Sequence, residues 1–433
     1  MNPGSDRPHS GNSRSRRYLI LLEGIVLLSA TPFLLVPELA PVATAAALAV
    51  LGTVWLTSLF IVRPPSTPFD ATLLLWGITL GVGILVTADP AETLPKATGL
   101  ILGLAVFRYA ALVVRTRRNA DWAVGVFVLL GAGFTLAGIF GLREIPKIPV
   151  LAGLNPFQAT TVPGLAGLTV HPNQLAGLIC LILPIPISLL ISPTPRRGLF
   201  RLGLLALTLW MIIVLVLTQS RGGWIGAAAG LLALLAFWAA VLPPTPYRRA
   251  LRGVAASVVA LLLVAVLWIG PVDLRDLWLN PPEETVVGTL QTLNYRKELW
   301  PWALTAVADF PLTGVGLGAF RQVAFRIYPL SLAAGQDIGH AHNIFLQVAL
   351  DVGLPGLVAY LALLFVAAAA GWRVARCDAG LRPAALGLLA GLVAVHVFGL
   401  ADALAPGAKP GVVFWLGLGI LAAMNRKEVL GDV

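Results

Sequence analysis

Apolar residues run along this chain in long blocks separated by short polar connections. A helix needs about 20 apolar residues to cross a hydrocarbon layer. Twelve blocks approach that length: residues 18–36, 40–62, 69–87, 93–114, 121–142, 174–192, 201–219, 224–242, 253–270, 345–371, 384–404 and 411–424, the last being short. The first follows Arg14, Arg16 and Arg17, as the apolar part of a signal peptide would. It is longer than such a part and carries Glu23, which predicts an uncleaved anchor. The pattern predicts an all-α polytopic membrane protein with about twelve transmembrane helices. A cytoplasmic tail covers 1–17, transmembrane helices cover 18–142 and 143–270, a large extracytoplasmic loop covers 271–343, and further helices with a short tail cover 344–433.

Composition narrows the class. Charged residues are 12% of the 433 and hydrophobic residues 58%. A soluble globule of this size cannot cover itself with so few charges, which excludes an ordinary cytosolic enzyme and a disordered chain. The net charge of +10 does not make a nucleic-acid binder, because the basic residues are scattered between apolar runs rather than gathered on one face. Cys180 lies in an apolar run and Cys377 in a connection, so neither a disulfide framework nor a thiolate metal site is expected. With the N-terminus inside, nineteen basic residues fall on inner segments and ten on outer ones. That asymmetry predicts an even span count with both termini in the cytoplasm. The long connections, 143–173 and 271–343, then both lie on the outer face, where chemistry is expected. Within the second, Leu290, Leu293, Trp300, Leu304 and Val307 predict an amphipathic helix over 283–308 resting on the membrane.

Three stretches carry candidate chemistry. Gln219-Ser220-Arg221-Gly222-Gly223-Trp224 is a polar hinge between two spans. Arg221 there is either a snorkelling anchor or a bidentate phosphate ligand. Arg296, in Asn294-Tyr295-Arg296-Lys297-Glu298-Leu299-Trp300, is either part of a solvated helix face or a second such ligand. The glycines of Asp309–Phe320 read as a tight structural turn, since no strand precedes them and no Lys-Ser/Thr follows. In Gly339-His340-Ala341-His342-Asn343, two histidines stand near Asp337, but no third histidine is nearby to complete a metal site. Imidazoles as a class titrate near 6.5 and suit a general base that takes a hydroxyl proton. His171 and Asn173 open the sixth block, as caps or as site residues. His396 is mid-span, either a helix–helix hydrogen bond or a functional group, and Glu23, Asp351 and Asp402 are the other awkward charges. Gly353, Pro355 and Gly356 suggest that 342–353 is an interfacial or re-entrant piece, which spares Asp351 the hydrocarbon.

Together these stretches resemble the O-antigen ligase and O-antigen polymerase family of bacterial envelope glycosyltransferases. The family signature His-(Asn/Ser/Gln)-x9-Gly-x-x-Gly reads here as His342-Asn343, nine residues, Gly353, two residues, Gly356. Ser220-Arg221, Arg296-x3-Trp300 and the Asp309–Gly316 segment follow in the family's order, and Pro172-Asn173 fits its opening. The likeness covers roughly 165–371; Leu357, where ligases often carry Thr, favours polymerase over ligase. The resemblance implies a GT-C-like enzyme without metal or other cofactor, in the bacterial cytoplasmic membrane with its active site on the periplasmic side. Such an enzyme moves a glycan from an undecaprenyl (polyprenyl) diphosphate carrier to a hydroxyl of a glycan, lipid A-core or protein acceptor. By that likeness Arg221 and Arg296 would bind the diphosphate and His342 would activate the acceptor; Arg321, Asn343, His171 and Asn173 are further candidate substrate contacts. The competing class is a flippase or other transporter of lipid-linked oligosaccharide. It is disfavoured because the cations cluster at one edge and no repeat is visible.

Overall fold

A computed structural model describes residues 10–62, 65–141, 171–193, 198–280, 292–330 and 338–430. The 143–170 part of the first long connection, residues 283–291 of the expected amphipathic helix, and Asp337 lie outside the described residues. Among the described residues every regular element is helical. In chain order these are α1 (Ser10–Leu35), α2 (Pro41–Ile61), α3 (Asp70–Leu85), α4 (Pro90–Val113), α5 (Arg117–Gly141), α6 (Pro172–Ile182), α7 (Pro184–Ile191), α8 (Gly198–Leu217), α9 (Arg221–Val241), α10 (Pro246–Leu279), α11 (Thr292–Asp309), α12 (Phe320–Ile327), α13 (Ile344–Cys377), α14 (Arg382–Phe398), α15 (Gly411–Met424) and α16 (Lys427–Leu430).

Proline opens α2, α4, α6, α7 and α10. It loses nothing there, because the first N–H of a helix has no partner within it. Side chains cap several starts: Asp89 for α4, His171 for α6, Ser220 for α9 and Asn343 for α13. Each expected apolar block falls on helix, and eight of these stretches are long and apolar enough to cross a membrane. α3, α14 and α15 are apolar but shorter. The chain is an integral membrane protein by this measure. Large apolar side chains such as Leu28 of α1, Leu199 of α8 and Trp268 of α10 face outward, where a bilayer would cover them. α14 and α15 are the opposite case, buried on nearly all sides with Trp415, Ile420 and Leu421 fully enclosed. α14 is surrounded by α6, α7, α9 and α13, and α15 packs along α4.

Two expectations change in detail. The block 174–192 is two helices, divided at Leu183 where Pro184 and Pro186 remove backbone donors. The block 384–404 stops at Phe398, which puts Asp402 in a connection. The amphipathic helix is helical as expected over its described part, from 292, and ends at Asp309. The suggested piece 342–353 is visible as a kink: Gly353 has φ 74°, so α13 is a short helix to Val352 followed by a long one. The glycine turn of 309–319 fills this kink. Leu354 N donates to Pro311 O at 2.7 Å and Val315 N to Leu350 O at 2.7 Å.

The awkward intramembrane groups are satisfied. Glu23 pairs with Arg108, whose Nη2 also donates to Ser58 Oγ at 2.8 Å, tying α1 and α2 to α4. His396 Nδ1 lies 2.7 Å from the Leu392 carbonyl, which only accepts, so Nδ1 carries the proton and Nε2 accepts from Tyr360 Oη at 2.8 Å. His396 is thus a helix–helix hydrogen bond.

Candidate functional site

Each candidate side chain is held by a local device. Gln219 takes φ 49° to turn the chain out of α8, and Ser220 Oγ then accepts from Gly223 N, which fixes Arg221 as the first residue of α9. Gly223 sits where a Cβ would come 2.7 Å from Ala176 Cβ, so α6 and α9 approach closely and bring Asn173 near Arg221. On α11, Arg296 and Trp300 are one turn apart and share a face. Arg296 Nε donates to Ala401 O at 3.0 Å and Trp300 Nε1 to Ala341 O at 3.1 Å. One helical turn therefore grips both loops that carry the site. This is a physical reason for the Arg-x3-Trp spacing.

The histidine loop is braced from below. Ala341 N donates to Gln347 Oε1 at 2.8 Å, Gln347 Nε2 to Asp351 Oδ1 at 2.8 Å, and Gly318 N to the same oxygen at 2.9 Å. His342 adopts φ 48°, and its N–H donates to His340 Nδ1 at 3.1 Å. The two imidazole centroids are 4.2 Å apart, and Tyr295 meets the His342 ring edge-on at 5.4 Å.

Asp402 is the hub. Its Oδ1 lies 3.3 Å from His340 Nε2 and 3.4 Å from His342 Nδ1, and accepts from Ala403 N at 2.8 Å, while Oδ2 accepts from Asn173 Nδ2. Burial alone would raise the Asp402 carboxyl. The contact with His342 and the other donors outweigh that and hold it well below the usual carboxylate range. Burial pushes His340 the other way for its charge, down to about 4, so it is neutral at pH 7. The Arg296 pKa is lowered by burial, raised by Asp402 and lowered again by Arg221.

Two adjoining cavities result. One, of about 260 Å³, is lined by Arg221, Arg296, Ser220, Ile225 and Leu293. The other, of about 300 Å³, is lined by His171, Gln174, His340 and His342. Asn173, Phe398 and Asp402 form walls of both. The structure thus brings Arg221, Arg296, His342, His171 and Asn173 together. It does not bring Arg321 or Asn343 to these walls. Arg321 faces Glu92 at 3.8 Å on α12, and Asn343 spends Oδ1 on capping α13 and Nδ2 on Leu400 O. In the sequence Asp402 stands out only as an awkward charge, and Gln347 only as the end of the histidine stretch. No third histidine is near the pair in sequence, yet His340, His342 and Asp402 bring potential ligand atoms within 4.8 Å of one another. Three such groups match the protein share of an open zinc site.

Residues 204–361 match the sequence profile of the O-antigen ligase family. The match spans Arg221, Arg296, the glycine turn and His342, and excludes His171, Asn173 and Asp402. No curated protein matches the chain. Over this stretch, with its motifs in the family's order, the chain is similar to the O-antigen ligase family.

Proposed function

We propose that the chain is a glycosyltransferase that moves a glycan from a polyprenyl diphosphate, undecaprenyl diphosphate in bacteria, to an acceptor hydroxyl at the periplasmic face of the cytoplasmic membrane. The observation that carries this reading is the meeting of Arg221, Arg296 and His342 around Asp402, from three distant parts of the chain. The arginine cavity takes the donor. Its cations suit a diphosphate, and Ile225, exposed on α9 beside Arg221, with Leu293 suits the start of an isoprenoid chain. The histidine cavity, walled by amide, imidazole and carboxylate groups, takes the acceptor.

The chemistry follows from that division. His342 Nδ1 faces Asp402, so Nε2 is the free edge that accepts the proton of the acceptor hydroxyl. The hydroxyl oxygen bonds to the anomeric carbon as the bond from that carbon to the carrier phosphate breaks. The electron pair leaves on the diphosphate, where Arg221 and Arg296 stabilise the growing negative charge. Half-buried guanidinium groups do this better than exposed ones, because less water screens them. The linkage to the carrier already holds the driving energy, so the step needs no nucleotide and no metal.

The test is transfer by the purified protein, in a chelator, from a polyprenyl-diphosphate-linked glycan to candidate acceptors. Arg221→Ala, Arg296→Ala and His342→Ala should each lower turnover by about 10²-fold or more with the protein still folded. Full activity in the His342 variant removes the base from this mechanism. Activity lost to chelator and restored by zinc would turn His340, His342 and Asp402 into ligands.

A further inference from the structure

On the face opposite the two cavities, the start of α1, the α4–α5 connection and the end of α15 bring Arg16, Arg115 and Arg426 into one electrostatic neighbourhood. Two of them are pinned to the last turn of α4 and the residue after it. Arg115 Nε donates to Leu112 O at 2.9 Å, and Arg426 Nη2 donates to Val114 O. Three guanidinium nitrogens stay buried without a hydrogen-bond partner: Arg16 Nε, Arg115 Nη2 and Arg426 Nε. Buried donors of this kind are rare, and charged ones are costly to leave unmet. Three at one place point to a missing acceptor.

The charge balance says the same. Among the described residues the nearest acid is Glu428, 3.9 Å from Arg426 Nε and itself 70% exposed. Asp378 is already paired with Arg117 at 3.3 Å. Among the described residues, one screened carboxylate against three guanidinium groups leaves the cluster positive. Burial, then Arg16 and Arg426, disfavour the charge on Arg115, with only Glu428 opposing. A group with several anionic oxygens would satisfy the donors and cancel the repulsion together. The cluster also lies where the apolar stretches of α1, α4 and α15 end, and Tyr18 and Leu21 of α1 are exposed just beside Arg16 in sequence. That is the level of a lipid headgroup.

We propose that Arg16, Arg115 and Arg426 form a binding site for a phosphate-bearing anion, filled by the headgroup of an anionic phospholipid. Its occupant ties the N-terminal helix to α4 and to the C-terminal helix, far from the transfer site. Free phosphate offers the same oxygens, so the test separates the two sources.

The experiment uses the full chain in nanodiscs and reads the thermal unfolding midpoint. Three conditions are compared: phosphatidylcholine alone, phosphatidylcholine with inorganic phosphate replacing chloride at constant ionic strength, and phosphatidylcholine mixed with phosphatidylglycerol. The midpoint should rise with phosphatidylglycerol as a ligand titrates its site. Arg115→Gln and Arg16→Gln should each need about tenfold more phosphatidylglycerol for the same rise, the equivalent of one lost charge-assisted contact. These two are preferred to Arg426→Gln, which also loses its bond to Val114. Arg373→Gln, exposed on the same face, should respond like the unaltered protein. An equal, arginine-dependent rise with inorganic phosphate would keep the site and reassign its occupant to free phosphate. An equal lipid response in the unaltered protein, Arg16→Gln and Arg115→Gln would overturn the proposal, as would an equal weakening in Arg373→Gln.

Discussion

Asp402 faces His342 Nδ1 at 3.4 Å, and in the proposed mechanism this contact decides which imidazole nitrogen meets the acceptor. Asp402→Asn keeps the shape but offers an amide that can donate to Nδ1, leaving the proton on the wrong nitrogen. Turnover should fall by about 10²–10⁴ while donor binding holds; an unchanged rate would show that the carboxylate does not position the base. His340 supplies a pH signature. Its imidazole titrates near 6.5 when unfolded but near 4 in the fold, because burial disfavours its charge. The unfolded chain therefore takes up the proton first, and stability should fall as pH drops from about 6.5 to about 4, then level off. Asp402, depressed in the fold, adds no slope in that window, since its contribution fades only below its unfolded value of about 3.9. His340→Gln should make the fall of the thermal midpoint across this range shallower. Arg221, Arg296 and His342 were legible because each sits in a recognisable local string. Asp402 was not, since it has no string of its own and lies about sixty residues beyond the histidine it faces.

At the scale of elements, hydropathy located each of the eight described helices long and apolar enough to cross a membrane, because a bilayer selects for length and apolarity and both are written along the chain. Breaks within apolar blocks were legible only where glycine and charge marked them. Asp351, Gly353 and Pro355 announced the kink of α13, whereas the division of α6 from α7 is carried by Pro184 and Pro186 inside an unbroken apolar run. The kink couples the glycine turn to the histidine loop through Asp351 and Gln347. Gly353 has φ 74°, and a Cβ there would stand 2.5 Å from Leu312 O. Gly353→Ala should therefore destabilise by about 1–3 kcal/mol from backbone strain alone and lower transfer with it. Thermal unfolding and turnover measured on the same preparation check this. A variant as stable and active as the unaltered protein would mean that the turn and α13 can shift without disturbing the histidines.

For the whole molecule, charge asymmetry predicts an orientation that helix packing by itself does not contain. The two cavities and the Arg16–Arg115–Arg426 cluster lie at opposite ends of α4, whose 24 residues span about 36 Å. Two thiol positions report on those ends. Cys377 is exposed where α13 finishes, away from the cavities, while Cys180 is fully buried. Lys409 is exposed on the connection between α14 and α15 that also carries Asp402. In cells of the native orientation, a membrane-impermeant maleimide should label Lys409→Cys directly and reach Cys377 only after permeabilisation. The two sites serve as each other's control, since both are accessible in detergent and differ only in the side they face. Labelling of Cys377 in intact cells, with Lys409→Cys protected, would place the arginine and histidine cavities in the cytoplasm. A glycan donor awaiting transfer on the periplasmic side could not then reach them, and a flipping or cytoplasmic role would have to replace the transfer reaction.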